Sequence, residues 1–272
     1  MIRIWPASAA RNESGIVEIG GVAVTQLAER FGTPLFIYDE DDLRARARAY
    51  VKAFNDGEIH TRVYYAGKAF LTTAVAHWVY AEGLGVDVCS LGELEVALRA
   101  GVPGDALLFH GNNKSVAELT RAVEVGVGRI AVDSLVEIER LNAIAARAGI
   151  VQQVYVRLTV GVEAHTHDFM ATAHEDQKFG MSVASGAAMA GVDAVMAADA
   201  LSLAGLHSHI GSQIFDAAGF ETAVHRVVDF AAQVRDRHGV SVSELDVGGG
   251  MGIAYVPSDD PLDVEHMAKA IL

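Results

Sequence analysis

Short apolar runs alternate with longer amphipathic stretches along most of this chain, and the alternation repeats. The runs fall at residues 35–38, 62–66, 86–89, 107–110, 129–132, 154–160, 203–210 and 245–247. Most are β-branched or leucine-rich without polar alternation, as expected of strands buried on both faces. Between them the spacing predicts helices at 24–30, 72–81, 91–100, 116–125, 135–148 and 220–238, and an arginine-rich amphipathic stretch begins at Asp41. Ser90, Ser115 and Ser134 stand where N-caps belong, and Gly83, Gly101, Gly126, Gly149 and Gly239 stand at C′ positions.

This cadence is that of βαβ units in a parallel sheet. Seven units, counted from 62–66, favour a (β/α)8 TIM barrel over an open doubly wound sheet, although the two share the same periodicity. A full barrel needs eight units. The chain stops inside a helical pattern at Ile271-Leu272, so an incomplete barrel over 37–272 is expected. Residues 1–36 lie outside the cadence and read as an N-terminal extension. Residues 163–180 are long, polar and irregular, with His165, His167 and His174. Such an insertion after a barrel strand belongs on the face where active-site loops gather.

Composition narrows the function classes. The 272 residues carry 35 acidic and 21 basic side chains, a net charge of −14, which excludes a phosphate-neutralising nucleic-acid binder. The hydrophobic fraction of 51 % excludes disorder. No apolar run reaches the roughly 18 residues of a membrane span, and the start is too polar for a signal peptide. The lone Cys89 excludes an internal disulfide framework and fits a reducing compartment. A cytoplasmic enzyme is the expectation.

Five lysines occur. Lys52 and Lys269 read as solvated helix charges, and Lys114 and Lys178 fall in polar segments. Lys68 differs, because it follows the apolar run Val63-Tyr64-Tyr65-Ala66-Gly67 and would enter the barrel mouth. A partly dry mouth disfavours the ammonium and makes the amine nucleophilic towards an aldehyde. A strand-end lysine with its head in water is the alternative. Gly248-Gly249-Gly250 follows the last apolar run, where bare N–H groups could cradle an anion; a tight strand-to-helix turn would use the same residues. His207 and His209 fall on one face of a strand, a spacing that metal-dependent barrel hydrolases use, and His165-Thr166-His167 repeats it. The first barrel strand lacks such a pair, however, and a hydrolase leaves the glycines without a task. Ser212 could instead donate its hydroxyl to the cradled anion. Asp87, His110, Asn112 and Arg157 also fall at strand ends; Arg157 needs either a core ion pair or a ligand. Cys89 reads as a small buried hydrophobe.

Taken together in order, these segments resemble a known family. Tyr64-Tyr65-Ala66-Gly67-Lys68-Ala69 is similar to the cofactor-lysine motif of the barrel-type (fold-type III, alanine-racemase-like) pyridoxal-phosphate decarboxylases. Asp87 to Glu93, His209-Ile210-Gly211-Ser212 and Asp246-Val247-Gly248-Gly249-Gly250 resemble three further motifs of that family. Residues 205–213 and Lys178-Phe179-Gly180 look most like its diaminopimelate-decarboxylating branch, while the 165–177 segment departs from the commoner form.

The resemblance implies pyridoxal 5′-phosphate as cofactor, with no metal. Lys68 would hold it covalently and His209 would stack on its ring, both as catalytic residues. Ser212, Gly248, Gly249 and Gly250 would bind its phosphate, with Asp87 and Arg157 around it. The implied reaction is decarboxylation of meso-2,6-diaminopimelate to L-lysine by a homodimer with active sites at the interface. A related decarboxylase of arginine, ornithine or a polyamine precursor is the alternative, and a non-catalytic barrel homologue another. The family's eighth strand and C-terminal β domain, against which residues 1–36 would pack, are not found in this sequence. The 272 residues alone are therefore expected to be inactive and poorly soluble, because an open barrel exposes strand edges. Assay of the purified chain with diaminopimelate checks this, and turnover at full rate would contradict it.

Overall fold

The computed structural model describes residues 4–55, 57, 59–162, 178–261 and 263–272. Three short strands, β1 (Ala10–Arg11), β2 (Val17–Ile19) and β3 (Val22–Ala23), pair antiparallel and lead into α1 (Val24–Phe31) and α2 (Glu40–Asn55). Strand and helix then alternate: β4 (Tyr64–Ala66), α3 (Thr73–Ala81), β5 (Gly85–Val88), α4 (Leu91–Arg99), β6 (Leu107–Phe109), α5 (Val116–Glu124), β7 (Arg129–Val132), α6 (Leu135–Ala148) and β8 (Gln152–Thr159). The short β9 (Met181–Ser182) follows, then α7 (Ala187–Met196), β10 (Leu201–Ser208), α8 (Ala217–His238), β11 (Glu244–Asp246) and α9 (Val264–Ile271).

Serine caps start three helices where the sequence places them. The side chains of Ser90, Ser115 and Ser134 accept from the N–H groups of Glu93, Glu118 and Glu137, satisfying donors that helix geometry leaves open. Ser115 and Glu118 complete a capping box. Gly149 and Gly239 end α6 and α8 in the left-handed conformation.

The long sheet runs β11-β10-β8-β7-β6-β5-β4, all parallel, with β9 beside β8. It is the curled core of an incomplete (β/α)8 barrel with seven strands in the main path. Val86, Val88, Leu107, Phe109, Ile130, Val132, Val154, Val156 and Leu206 pack outward into the core beneath the helices. The alternate residues Leu108, Ala131, Tyr155 and Ala204 form a smaller cluster with Tyr64 on the concave face.

Two elements depart from expectation. Residues 35–38 form no strand: Phe36 is 88 % exposed, and Tyr38 instead stacks on Phe70 with ring centroids 4.0 Å apart. Both faces of a parallel strand need cover, and here Leu35, Phe36 and Tyr38 are all exposed. Conversely, α7 is apolar nearly all round, so it shows no amphipathic period to read. Among the described residues no helix is long and apolar enough to cross a membrane.

At the amino end of the sheet, Glu244 of β11 accepts from Arg129 of β7 through Nε and Nη2, at 2.8 and 2.6 Å. Tyr155 of β8 donates its hydroxyl to the same carboxylate at 2.6 Å. The Arg129 bonds, and then that of Tyr155, hold the Glu244 carboxyl below the usual glutamate range despite partial burial. The stability this contributes is present above the ordinary glutamate range and is lost as the pH falls through the lowered value. Glu244→Gln should cost about 1 to 2 kcal/mol in urea unfolding at pH 7 and show a shallower loss of stability with acid than the parent.

Candidate active site

The carboxyl ends of the parallel strands gather the polar residues, because inward positions recur every second residue. Lys68 lies in the single turn Gly67–Ala69 directly after β4. Asp87 is in β5, Arg157 in β8, His207 in β10 and Asp246 in β11, with His110, Asp133 and His209 just beyond their strands. His110 Nδ1 pairs with Asp87 Oδ1. Arg157 Nη1 donates to Asp133 Oδ1 at 3.3 Å, and its guanidinium carbon lies 4.5 Å from the centre of the Phe179 ring.

A second group of contacts joins the loop after β10 to the loop after β11. Ile214 and Met251 form an isolated parallel bridge, with Ile214 N–H donating to Gly250 O at 3.0 Å and Gly252 N–H to Ile214 O at 2.8 Å. Ser212 and the three glycines therefore share one site. A Cβ on Gly250, whose φ is 104°, would meet Gly211 O at 1.9 Å. One on Gly248, at φ 69°, would meet Ser208 O at 2.7 Å. Nothing lies within 4 Å of where a Cβ on Gly249 would sit. Close-packed glycines around an open one make a backbone cradle of the kind an anion such as a phosphate takes. Beside it, β10 ends on two buried polar atoms, His207 Nδ1 and Ser208 Oγ, that have no hydrogen-bond partner among the described residues.

Burial governs the titration of this site. It pushes His209 down to about 3, helped by the charges of Lys68, Arg157 and His110, and drives His207 well below the imidazole range. Both rings are neutral near pH 7. Burial also raises Asp246 to about 6; Asp87 adds to this and the Gly248 N–H, at 2.8 Å from Oδ1, opposes it. The Cys89 thiol is pushed up to about 12 by burial and by Glu93, so it stays protonated.

The structure brings Arg157 within electrostatic reach of Asp87, His209 within reach of Arg157 and of the exposed Lys68, and Ser212 beside Gly250. Among the described residues no group of three or more His, Cys, Asp or Glu is arranged to hold a metal ion; His165, His167 and His174 lie outside them. Sequence reading passed over Asp133 and Glu137, and singled out Phe179 only as part of the Lys178-Phe179-Gly180 resemblance. The polar ending of the 129–132 run, Asp133-Ser134, was the available signal. Lys114, read as part of a polar segment, is 3 % exposed and 2.7 Å from Glu137.

A family model described as pyridoxal-dependent decarboxylase, pyridoxal binding domain, matches residues 40–272. The diaminopimelate decarboxylase of Mycobacterium tuberculosis is 58 % identical over 98 % of this chain and 60 % of its own length. A crystal structure of diaminopimelate decarboxylase from M. jannaschii with L-lysine superimposes with a TM-score of 0.89 at 30 % identity, covering 98 % of this chain and 62 % of that one. A lysine/ornithine decarboxylase from Vibrio vulnificus with putrescine gives 0.76 at 25 % identity, covering 91 % and 61 %. The chain thus spans about 60 % of the length of the curated relatives it matches.

Because Asp246 binds its proton more tightly folded than unfolded, its contribution to stability falls as pH rises from the ordinary aspartate value towards 6. Asp246→Asn removes this loss and keeps an acceptor for Gly248. Unfolding measured at pH 4 and pH 7 should show the variant gaining on the parent by on the order of 3 kcal/mol.

Proposed function

The chain belongs to the pyridoxal-dependent decarboxylases, and from that premise we propose that it forms the cofactor-binding barrel of an enzyme converting meso-2,6-diaminopimelate to L-lysine and CO2. The observation that carries the reading is the meeting of Lys68 and His209 with the glycine cradle at one end of the sheet. The names of the relatives support the substrate, as does the lysine bound to the M. jannaschii enzyme.

When bound, pyridoxal phosphate draws electrons from the substrate's α-carbon as CO2 leaves. Lys68 would hold the cofactor's aldehyde through its amine and, once displaced by substrate, supply an amine able to carry a proton. The neutral His209 ring would stack on the cofactor ring without adding a charge to it. Backbone N–H groups of Gly248, Gly249 and Gly250 and the Ser212 hydroxyl would hold the phosphate. Asp87, paired with His110, and Arg157, paired with Asp133, would face the polar edges of the cofactor. Walls built of strand ends keep Arg157 and His207 dry, which strengthens their electrostatic contacts, while the Lys68 side chain is exposed.

For the whole enzyme we infer a homodimer in the cytoplasm. The family resemblance supports the first and the unpaired Cys89 the second. Protein mixed with pyridoxal phosphate should absorb near about 420 nm, and Lys68→Ala should lack that band. Disrupting the gene should make growth depend on L-lysine while diaminopimelate accumulates. Growth restored by ornithine or a polyamine would contradict the substrate assignment.

A further inference from the structure

Arg157 is 4 % exposed, so the groups that hold its guanidinium decide where it can act. Asp133, 5 % exposed, divides its carboxylate between two partners. Oδ1 accepts from Arg157 Nη1 at 3.3 Å, and Oδ2 accepts from the Gly180 N–H at 2.9 Å. The Phe179 ring meets the guanidinium at 4.5 Å. The backbone there is pinned as well: Thr159 donates its hydroxyl to Phe179 O at 2.7 Å, and Asn112 Nδ2 donates to Lys178 O at 3.1 Å.

Asp133 is held in turn. Its N–H donates to Glu137 Oε2 at 3.3 Å, and Glu137 Oε1 lies 2.7 Å from Lys114 Nζ. That ammonium donates to Gly111 O at 2.6 Å and Ala131 O at 2.8 Å. Two cations and two anions are thus buried together, and removing one leaves another without its counter-charge. The mouth already has Asp87 and Asp246 within reach of Arg157, so these core-side contacts set the orientation in which Arg157 meets them.

We propose that Asp133 is a positioning residue: it fixes the Arg157 guanidinium and the 178–180 backbone together, so that the other N–H groups of Arg157 are presented to an anionic oxygen of the bound cofactor. The inference rests on the reading of Arg157 as a cofactor-binding residue. Among the described residues, the hydrogen bonds of Asp133 run to Arg157, Gly180 and Glu137. Its influence on the cofactor therefore passes through Arg157.

A double-mutant cycle on pyridoxal phosphate affinity, measured by absorbance titration, tests this. Asp133→Asn keeps an acceptor for Gly180 but removes the charge, and Arg157→Met removes the guanidinium. Each should weaken binding about tenfold, and the double variant should bind no more weakly than Arg157→Met alone. The pH midpoint of the bound cofactor's absorption should move in the same direction in both single variants. Wild-type affinity in Asp133→Asn beside a weakened Arg157→Met would overturn the proposal, as would fully additive losses. Should Asp133→Asn fail to fold, Asp133→Glu, which keeps the charge and shifts it by one methylene, takes its place. It should bind more weakly than the parent, and parental affinity would overturn the proposal. Wild-type affinity in Arg157→Met overturns the inference through its premise; a band still lost in Lys68→Ala would then show that the wider reading of the site survives.

Discussion

Glu244, Arg129 and Tyr155 meet on the concave face of the sheet, and the curl that permits this meeting decides where everything else lies. In a flat sheet three strand spacings of about 4.8 Å would separate β11 from β7. Twist and coiling bring the inner faces together, and the carboxylate ties them. Once the foot is tied, the opposite end is set by the period of two: Asp87, Arg157 and His207 project inward from strands whose alternate residues fill the core under the helices. The loops after β10 and β11 then touch through Ile214 and Met251, and the glycine cradle follows from that contact.

The mouth balances charges of differing exposure. Lys68 is exposed, Arg157 is buried within reach of Asp133, Asp87 and Asp246, and His207 and His209 add no charge because burial keeps them neutral. Arg157 stays buried with a carboxylate partner at 3.3 Å, and Asp87 pairs with His110 Nδ1. Asp246 titrates high chiefly because it is buried; Asp87 adds to this, while the Gly248 N–H, His110 and Arg157 oppose it. A site of this kind is organised before any ligand arrives, which is where electrostatic stabilisation gains its strength.

Much of this was legible in the sequence. Runs of β-branched residues at 129–132 and an amphipathic period at 135–148 coincide with β7 and α6, since burial on two faces and on one stripe leave different signatures. Lys68 and the triple glycine could be singled out because a cation after an apolar run and three adjacent glycines are locally unusual. What stayed hidden depends on contacts distant along the chain. Glu244 is 115 residues from Arg129, and Asp133 is 47 from Gly180; no local pattern announces either pair. The burial of Lys114, which does stand in a loop, was hidden for the same reason, because its partner Glu137 lies 23 residues away. The run at 35–38 failed in the opposite sense: it has strand composition, but no neighbouring strand covers it.

The central claim is that Lys68, at the end of β4, is where the cofactor attaches. Borohydride treatment of the protein with pyridoxal phosphate, followed by peptide mass spectrometry, tests it most directly. The pyridoxyl group should be found on the peptide carrying Lys68. Its absence there, or its accumulation on Lys114 or Lys178 instead, would contradict the claim.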